Sequence, residues 1–293
     1  MEYGKIIQLL SRMGIEQVSG ITQFRNPEDG EGYAVWCIDT PQNTYVLKRA
    51  KGYERETYEA FFRKSSVYAP QLIDSREEDG EEYLLLEYIA GQNLMHCTKD
   101  ALIRTIDALS AMQIEWWHNS NKNDVGQSFK RSLTGRKNRL NFLNDPVLER
   151  TYETYLDAYR AVPRTLCHDD LLPFNILIAG DRAVFIEWEY GGILPYLSSI
   201  ARLLAHCEDK DDAFFYMREE DRLFAIDYYY YKCVKVMGIS RKSYENDLEL
   251  FLFYEYCEWI YLGNKHGDTK NERYRRYHRL AEQIAQLKYP VNE

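Results

Sequence analysis

Apolar and polar positions alternate in short runs over roughly the first 90 residues of this chain, and from about residue 99 they recur at three- and four-residue spacing. The first pattern predicts paired strands, the second amphipathic helices. Residues 2–14 form a short helix in this reading, and Gln17 to Leu47 reads as strands with turns at residues 26–30 and 40–43. The segment GYAVWCIDTPQNTYVLKRA is a hairpin that ends in Lys48, and ERETYEAFFRKS follows it as a helix. EEYLLLEYIAGQNL gives a buried strand closed by Gly91. Leu102, Ile106, Leu109, Met112 and Trp116 mark a helix over 99–118, residues 146–160 another, and Pro163 ends the approach to a central loop. Later helices are expected at about 199–207, 219–237, 243–265 and 271–287.

The chemistry concentrates in TLCHDDLLPFNILIAGDRAVFIEWE, Thr165 to Glu189. His168-x-Asp170-x4-Asn175 has the spacing of a kinase catalytic loop, where the aspartate takes the proton of an attacking hydroxyl and the asparagine holds magnesium. Two short buried strands around Gly180-Asp181 lead to Glu187, where a second carboxylate would share that metal. Phosphoryl transfer asks a protein to position groups and neutralise charge, and hard oxygen donors suit Mg2+. The competing reading of the segment is a polar loop followed by a core hairpin.

HDDLLPFNIL followed by FIEWEY resembles the aminoglycoside phosphotransferase and choline kinase family, whose usual pattern is HGDLHPxNIL and then IDWE or IDFEY. Leu171, Pro173, Asn175, Ile176 and Leu177, then Ile186, Trp188 and Glu189 carry the match. The resemblance implies an α+β, two-lobed protein-kinase-like fold: a small antiparallel-sheet N-lobe over 1–90 that binds nucleotide, and a larger, mainly helical C-lobe over 91–293. It implies ATP and Mg2+ as cofactors, Asp170 as base with His168 bracing its loop, and Asn175 and Glu187 as metal ligands. Lys48 would bind phosphate and pair with Glu56, with Glu59 as the alternative partner. Backbone groups near Glu87–Ile89 would hold adenine, with Glu87 and Ile89 as the named positions. The phosphate-covering loop would lie within Phe24–Gly32, which has no GxGxxG. The helices after Glu187 would wall the acceptor site, with Glu189, Tyr254, Glu258 and Trp259 as substrate contacts, because aromatic faces beside carboxylates bind ammonium groups. Phe251, Tyr254, Trp259 and Leu262 at helical spacing read more readily as core.

Two departures change the picture. Glu187 stands where the family usually has aspartate, one methylene shorter, and octahedral Mg2+ tolerates displaced oxygens poorly. Ser199 stands where the family has the aspartate of Asp-Leu/Ile-Ala that buttresses the loop. The leading reading is a kinase for a hydroxyl of a small, amine-bearing alcohol, choline-like or aminoglycoside-like. The second is a nucleotide-binding pseudokinase of the same fold. A kinase acting on protein side chains fits less well, since IEWEYGGILPYLSSIA passes straight into the next helix.

Composition narrows this only at the edges. The 293 residues carry a formal charge of −9, which argues against nucleic acid or an anionic membrane as a partner. No run of about 18 apolar residues offers a membrane span, and MEYGKIIQLL opens into helix rather than a signal peptide. Six scattered cysteines, with no CxxC or Cys/His cluster, read as reduced thiols of a cytoplasmic protein.

Overall fold

A computed structural model describes residues 3–25, 30–64, 66–118 and 127–288. Five strands, β1 (Gly20–Arg25), β2 (Gly32–Asp39), β3 (Thr44–Arg49), β4 (Leu72–Glu78) and β5 (Glu81–Glu87), form one antiparallel sheet in the order β1-β2-β3-β5-β4. Period-two alternation divides its residues between two cores. Trp36, Ile38, Leu47, Tyr83 and Leu85 face helix α1 (Tyr3–Arg12), whose Ile6, Leu9 and Leu10 complete a small outer cluster. Leu84 and Leu86 face the other way, into the main core. Lys48 pairs in register with Leu84, so the lysine points to that inner side as well.

Helix α2 (Glu54–Phe61) crosses beneath the sheet and joins it to the rest of the chain. Phe62 at its end lies 4.5 Å, ring to ring, from the fully buried Trp188, which in turn lies 4.7 Å from the His168 ring. After β5 the backbone passes so close to a later strand that a Cβ on Gly91 would meet the Ile178 carbonyl oxygen at 2.9 Å. Only glycine allows the crossing, and it begins the short strand β6 (Gln92–Asn93).

The larger part is helical: α3 (Lys99–His118), α4 (Ser128–Leu140), α5 (Pro146–Ala161), α6 (Leu197–His206), α7 (Glu219–Tyr229), α8 (Arg241–His266) and α9 (Glu272–Lys288). Leu102, Ile106, Leu109 and Met112 of α3 are all fully buried, as their spacing predicts. The helix expected over 219–237 ends its α-helical part at Tyr229; Tyr230–Val234 is wound as a π turn, with Lys235 N donating to Tyr230 O. Helix α4 has no forerunner in the sequence pattern. Between the helices lie β7 (Arg164–Cys167), β8 (Ile176–Ala179), β9 (Arg182–Phe185) and β10 (Gly192–Pro195), with β7 paired to β10 and β8 to both β6 and β9. This is the two-lobed kinase-like α+β arrangement. All six cysteines are free thiols, and no helix among the described residues is long and apolar enough to cross a membrane.

Candidate active site

The loop after β7 is fixed from both sides. His168 N donates to Ser199 Oγ at 2.9 Å, so the serine accepts the bond that braces the loop. The imidazole faces the Ile186 carbonyl through Nε2 at 2.6 Å and the Asp170 amide through Nδ1 at 3.3 Å, which assigns the proton to Nε2 and leaves Nδ1 as acceptor. Burial holds its pKa down to about 4, so it works as a neutral strut between the catalytic loop and the end of β9. A 3-10 turn at Pro173–Asn175 brings Asn175 Nδ2 to the Asp170 carbonyl at 2.9 Å and to Asp170 Oδ2 at 3.3 Å. The Ile186 amide donates to Asn175 O at 2.9 Å, so the chain stretches leading to Asn175 and Glu187 run side by side at the mouth of the β8–β9 hairpin.

The Asp170 carboxyl is pushed up to about 6, by burial first, against the pull of Arg202. Its neighbour Asp169 occupies the glycine position of the resembled pattern and has the backbone that glycine would favour, φ 61°. Arg136 of α4 holds it through two bonds, Nη2 to Oδ1 at 2.8 Å and Nη1 to Oδ2 at 3.2 Å, and Ser132 adds a third at 2.9 Å. Arg136 itself is buried against the rings of Tyr159 and Tyr254. Neither Arg136 nor this pairing was legible in the motif.

From the sheet, Lys48 Nζ reaches Glu54 Oε1 at 2.6 Å and Glu187 Oε2 at 2.8 Å. Burial alone would lower the lysine pKa; the two carboxylates outweigh it and raise it, so the ammonium stays charged. The expected partner, Glu56, is replaced by Glu54. The helix opens at Glu54, which is fully buried under the sheet; Glu56, about 200° further around the helix, points away from Lys48. Glu59 is taken by Arg55 and Ser75. At the hinge, the Glu87 amide donates to Gln71 O at 3.0 Å and its carboxylate accepts from Gln71 N. Glu87 therefore anchors the hinge with its own N–H spent, and Ile89 follows it, buried. Of the expected phosphate-covering loop, residues 26–29 lie outside the described residues.

A cavity of about 460 Å3 opens beside Asp170, walled by α4, α6, α8 and the turn after Glu187. Glu189, Tyr254 and Glu258 line it. Trp259 does not. Its ring stacks on Tyr277 at 5.7 Å and 10°, and its Nε1 donates to His206 Nδ1 at 3.3 Å. Tyr254 stacks on Tyr155 at 4.7 Å and sits over Arg136, so it is a wall of the core rather than half of an open aromatic box. Four arginines that the sequence reading passed over, Arg131, Arg136, Arg139 and Arg202, also line the cavity. Arg139 Nε pairs with Glu258 at 2.6 Å, and Arg202 bridges Asp170, Glu255 and Glu258. Glu189 stands at the rim against Gly52, where a Cβ would come within 3.2 Å of its side chain.

The donor set of Asn175 and Glu187 fits a magnesium ion. Asn175 is buried, and because its Nδ2 is spent on Asp170 its Oδ1 is the atom left to face a cation. Glu187 keeps Oε1 beyond the oxygen that meets Lys48. Its own backbone is left-handed, φ 65°, which turns the side chain at the hairpin end back toward the lysine.

A family model described as "Phosphotransferase enzyme family" matches residues 24–236. Protein LicA of Haemophilus influenzae is 47% identical over 38 residues, a stretch that spans 13% of this chain and 14% of that protein. In three dimensions the chain resembles amicoumacin kinase hAmiN, solved with AMP-PNP and Ca2+, at a TM-score of 0.63 and 11% identity over 99% of this chain and 96% of that one. A choline kinase from Cryptosporidium parvum Iowa II aligns over 98% and 97% of the two chains, with TM-score 0.60 and 15% identity.

Proposed function

The chain belongs to the phosphotransferase enzyme family, and from that premise we propose that it transfers the γ-phosphoryl group of ATP, with Mg2+, to a hydroxyl of a small molecule. The observation that carries the reading is the Lys48–Glu187 contact of 2.8 Å, which joins a lysine of the sheet to the carboxylate at the end of the catalytic hairpin. Phosphoryl transfer needs that arrangement, because positive charge must meet the phosphates where the metal carboxylate stands.

In this reading the N-lobe over 1–90 holds the nucleotide and the C-lobe over 91–293 holds the acceptor. The neighbour solved with AMP-PNP and Ca2+ supports use of a nucleotide and a divalent cation. Lys48 binds phosphate oxygens, and Glu54 keeps it extended and charged. Asn175 and Glu187 hold Mg2+, which neutralises charge on the phosphates when bound. The acceptor hydroxyl enters the cavity and Asp170 orients it; as its oxygen bonds to phosphorus and the bond to ADP breaks, the proton passes to the Asp170 carboxylate. His168 keeps the loop in register without taking the proton. An amine on the acceptor meets Glu189 at the rim, since Glu255 and Glu258 are already matched by Arg202 and Arg139. The choline kinase among the neighbours supports an amino alcohol as the first class to screen.

The pseudokinase reading rested on Glu187 and Ser199. Ser199 accepts the bracing hydrogen bond and Glu187 reaches Lys48, so each substitution has a working contact. Calorimetric titration with ATP, with and without Mg2+, tests the proposal: magnesium-dependent binding followed by phosphotransfer to an amino alcohol or aminoglycoside is expected. Binding indifferent to magnesium would return the pseudokinase reading.

A further inference from the structure

The geometry points to Arg202 as a positioning residue for the reaction: it fixes Asp170 by one oxygen so that the other is presented to the acceptor, and its own place is fixed by a relay that runs through Glu255, His206 and Trp259. The inference rests on the kinase reading for its meaning, but its core, that Arg202 governs Asp170, does not.

Arg202 lies on α6, in a run from Ile200 to Ala205 whose other members are all buried and apolar. A guanidinium in such a run needs partners. It meets Asp170 Oδ1 twice, through Nε at 3.0 Å and Nη2 at 2.9 Å. Among the described residues Oδ2 keeps only the 3.3 Å contact from Asn175. One carboxylate oxygen is thus anchored and the other is left toward the cavity. The far side of the guanidinium reaches Glu255 Oε2 at 2.8 Å and Glu258 Oε2 at 3.4 Å through Nη1. Glu255 is buried, and Arg202 with His206 holds its pKa down to about 2 against burial, so it stays an anion.

The relay behind it has a defined direction. Trp259 Nε1 donates to His206 Nδ1, so His206 carries its proton on Nε2 and donates to Glu255 Oε2 at 3.1 Å. Arginine suits the junction because its planar fork addresses two carboxylates along different edges; a lysine is a single point. The groups facing Asp170 from the elements around it are His168 and Asp169 of its own loop, Asn175, Arg202 and His206 of α6, and Glu255 and Glu258 of α8. Among the described residues Arg202 is the cation in direct contact, so it sets which carboxylate oxygen is anchored and which faces the cavity.

The test uses crystal structures of the full-length protein and its variants beside steady-state kinetics. In Arg202→Gln the Asp170 carboxylate is expected to leave the orientation that anchors Oδ1 and turns Oδ2 to the cavity, and in Arg202→Lys to keep it in part. Because Arg202→Gln strands Glu255 in the interior, Arg202→Gln/Glu255→Gln is solved beside it, and the same reorientation is expected. Turnover of MgATP with water as acceptor should lose at least about tenfold in kcat in both glutamine variants with KM for MgATP within about twofold, and Arg202→Lys should recover part of the loss. An Asp170 carboxylate that keeps its orientation in both glutamine variants overturns the inference, as does an unchanged kcat. If the wild-type protein turns over no MgATP with any acceptor, the kinase reading fails, and the carboxylate orientation still decides whether Arg202 governs Asp170.

Discussion

Arg136 holds Asp169 through both of its carboxylate oxygens, at a backbone position with φ 61°. The left-handed backbone costs an aspartate on the order of 1 kcal/mol. Loss of a buried ion-pair partner costs more, about 3 to 5 kcal/mol. Asp169→Gly is therefore expected to destabilise the protein, although glycine suits the backbone better. Arg136→Met in the same chain should recover most of the loss. Urea unfolding of the two single variants and the double variant measures the coupling, and additive losses would disprove it.

Glu54, not Glu56, should govern Lys48. Glu54→Gln is expected to lower MgATP turnover at least about tenfold, whereas Glu56→Gln should stay within about twofold of wild type. Steady-state kinetics on the two variants separates the cases, and equal losses would mean that the helix sits differently when nucleotide binds.

Glu187→Asp tests whether the site is built around the longer side chain. Its carboxylate reaches Lys48 at 2.8 Å from a left-handed backbone, and a methylene less withdraws it by about 1 Å. Displacements of that size cost roughly 100-fold in rate, and that loss is expected here. A gain in phosphotransfer would instead identify Glu187 as the handicap of a weakened enzyme.

The rate should depend on the ionised form of Asp170. With its carboxyl at about 6, kcat is expected to rise with pH through that value and then level off. His168 stays neutral down to about 4 and adds no second step near 6. A kcat profile between pH 5 and 8 that is flat would remove Asp170 from the proton-transfer role.

Stability carries the opposite signature from the same loop. As pH falls, the unfolded chain protonates its histidine near 6.5, while the folded chain resists until about 4. The folded state therefore loses stability across that window, by on the order of 3 kcal/mol. Asp170 acts in reverse, because its raised carboxyl takes up a proton in the folded state first. His168→Gln keeps a donor for Ile186 and removes the first effect. Its stability relative to wild type should improve as pH falls from 7 to 4.5, measured by urea unfolding at each pH.

The hairpin of the candidate site was legible because it is local: Asp170, Asn175 and Glu187 follow one another on one loop and two short strands, and spacing alone determines their order. Lys48 was legible for the same reason, at the end of a hairpin. Its partner was missed by two residues because helix starts are weakly marked, and Tyr53 before Glu54 makes no side-chain cap. Helix α4 was missed because its apolar positions, Phe129, Leu133 and Leu140, are few and only partly buried, while its two buried residues, Ser128 and Arg136, are polar. Trp259 was assigned to the substrate because helical spacing states which residues share a face, not what that face meets. The signal that could have found Arg202 was present: one arginine inside the otherwise apolar run IARLLA, residues 200–205, on α6.

Only four residues separate Glu187 from Gly192, where the chain is already paired with Cys167 beside the catalytic loop. Protein kinases that are switched by phosphorylation place a long segment at this point, and its ordering completes the site. Here the corresponding backbone is a rung of the same small ladder that carries His168. A switch that works by ordering a long segment has no counterpart along that stretch of chain.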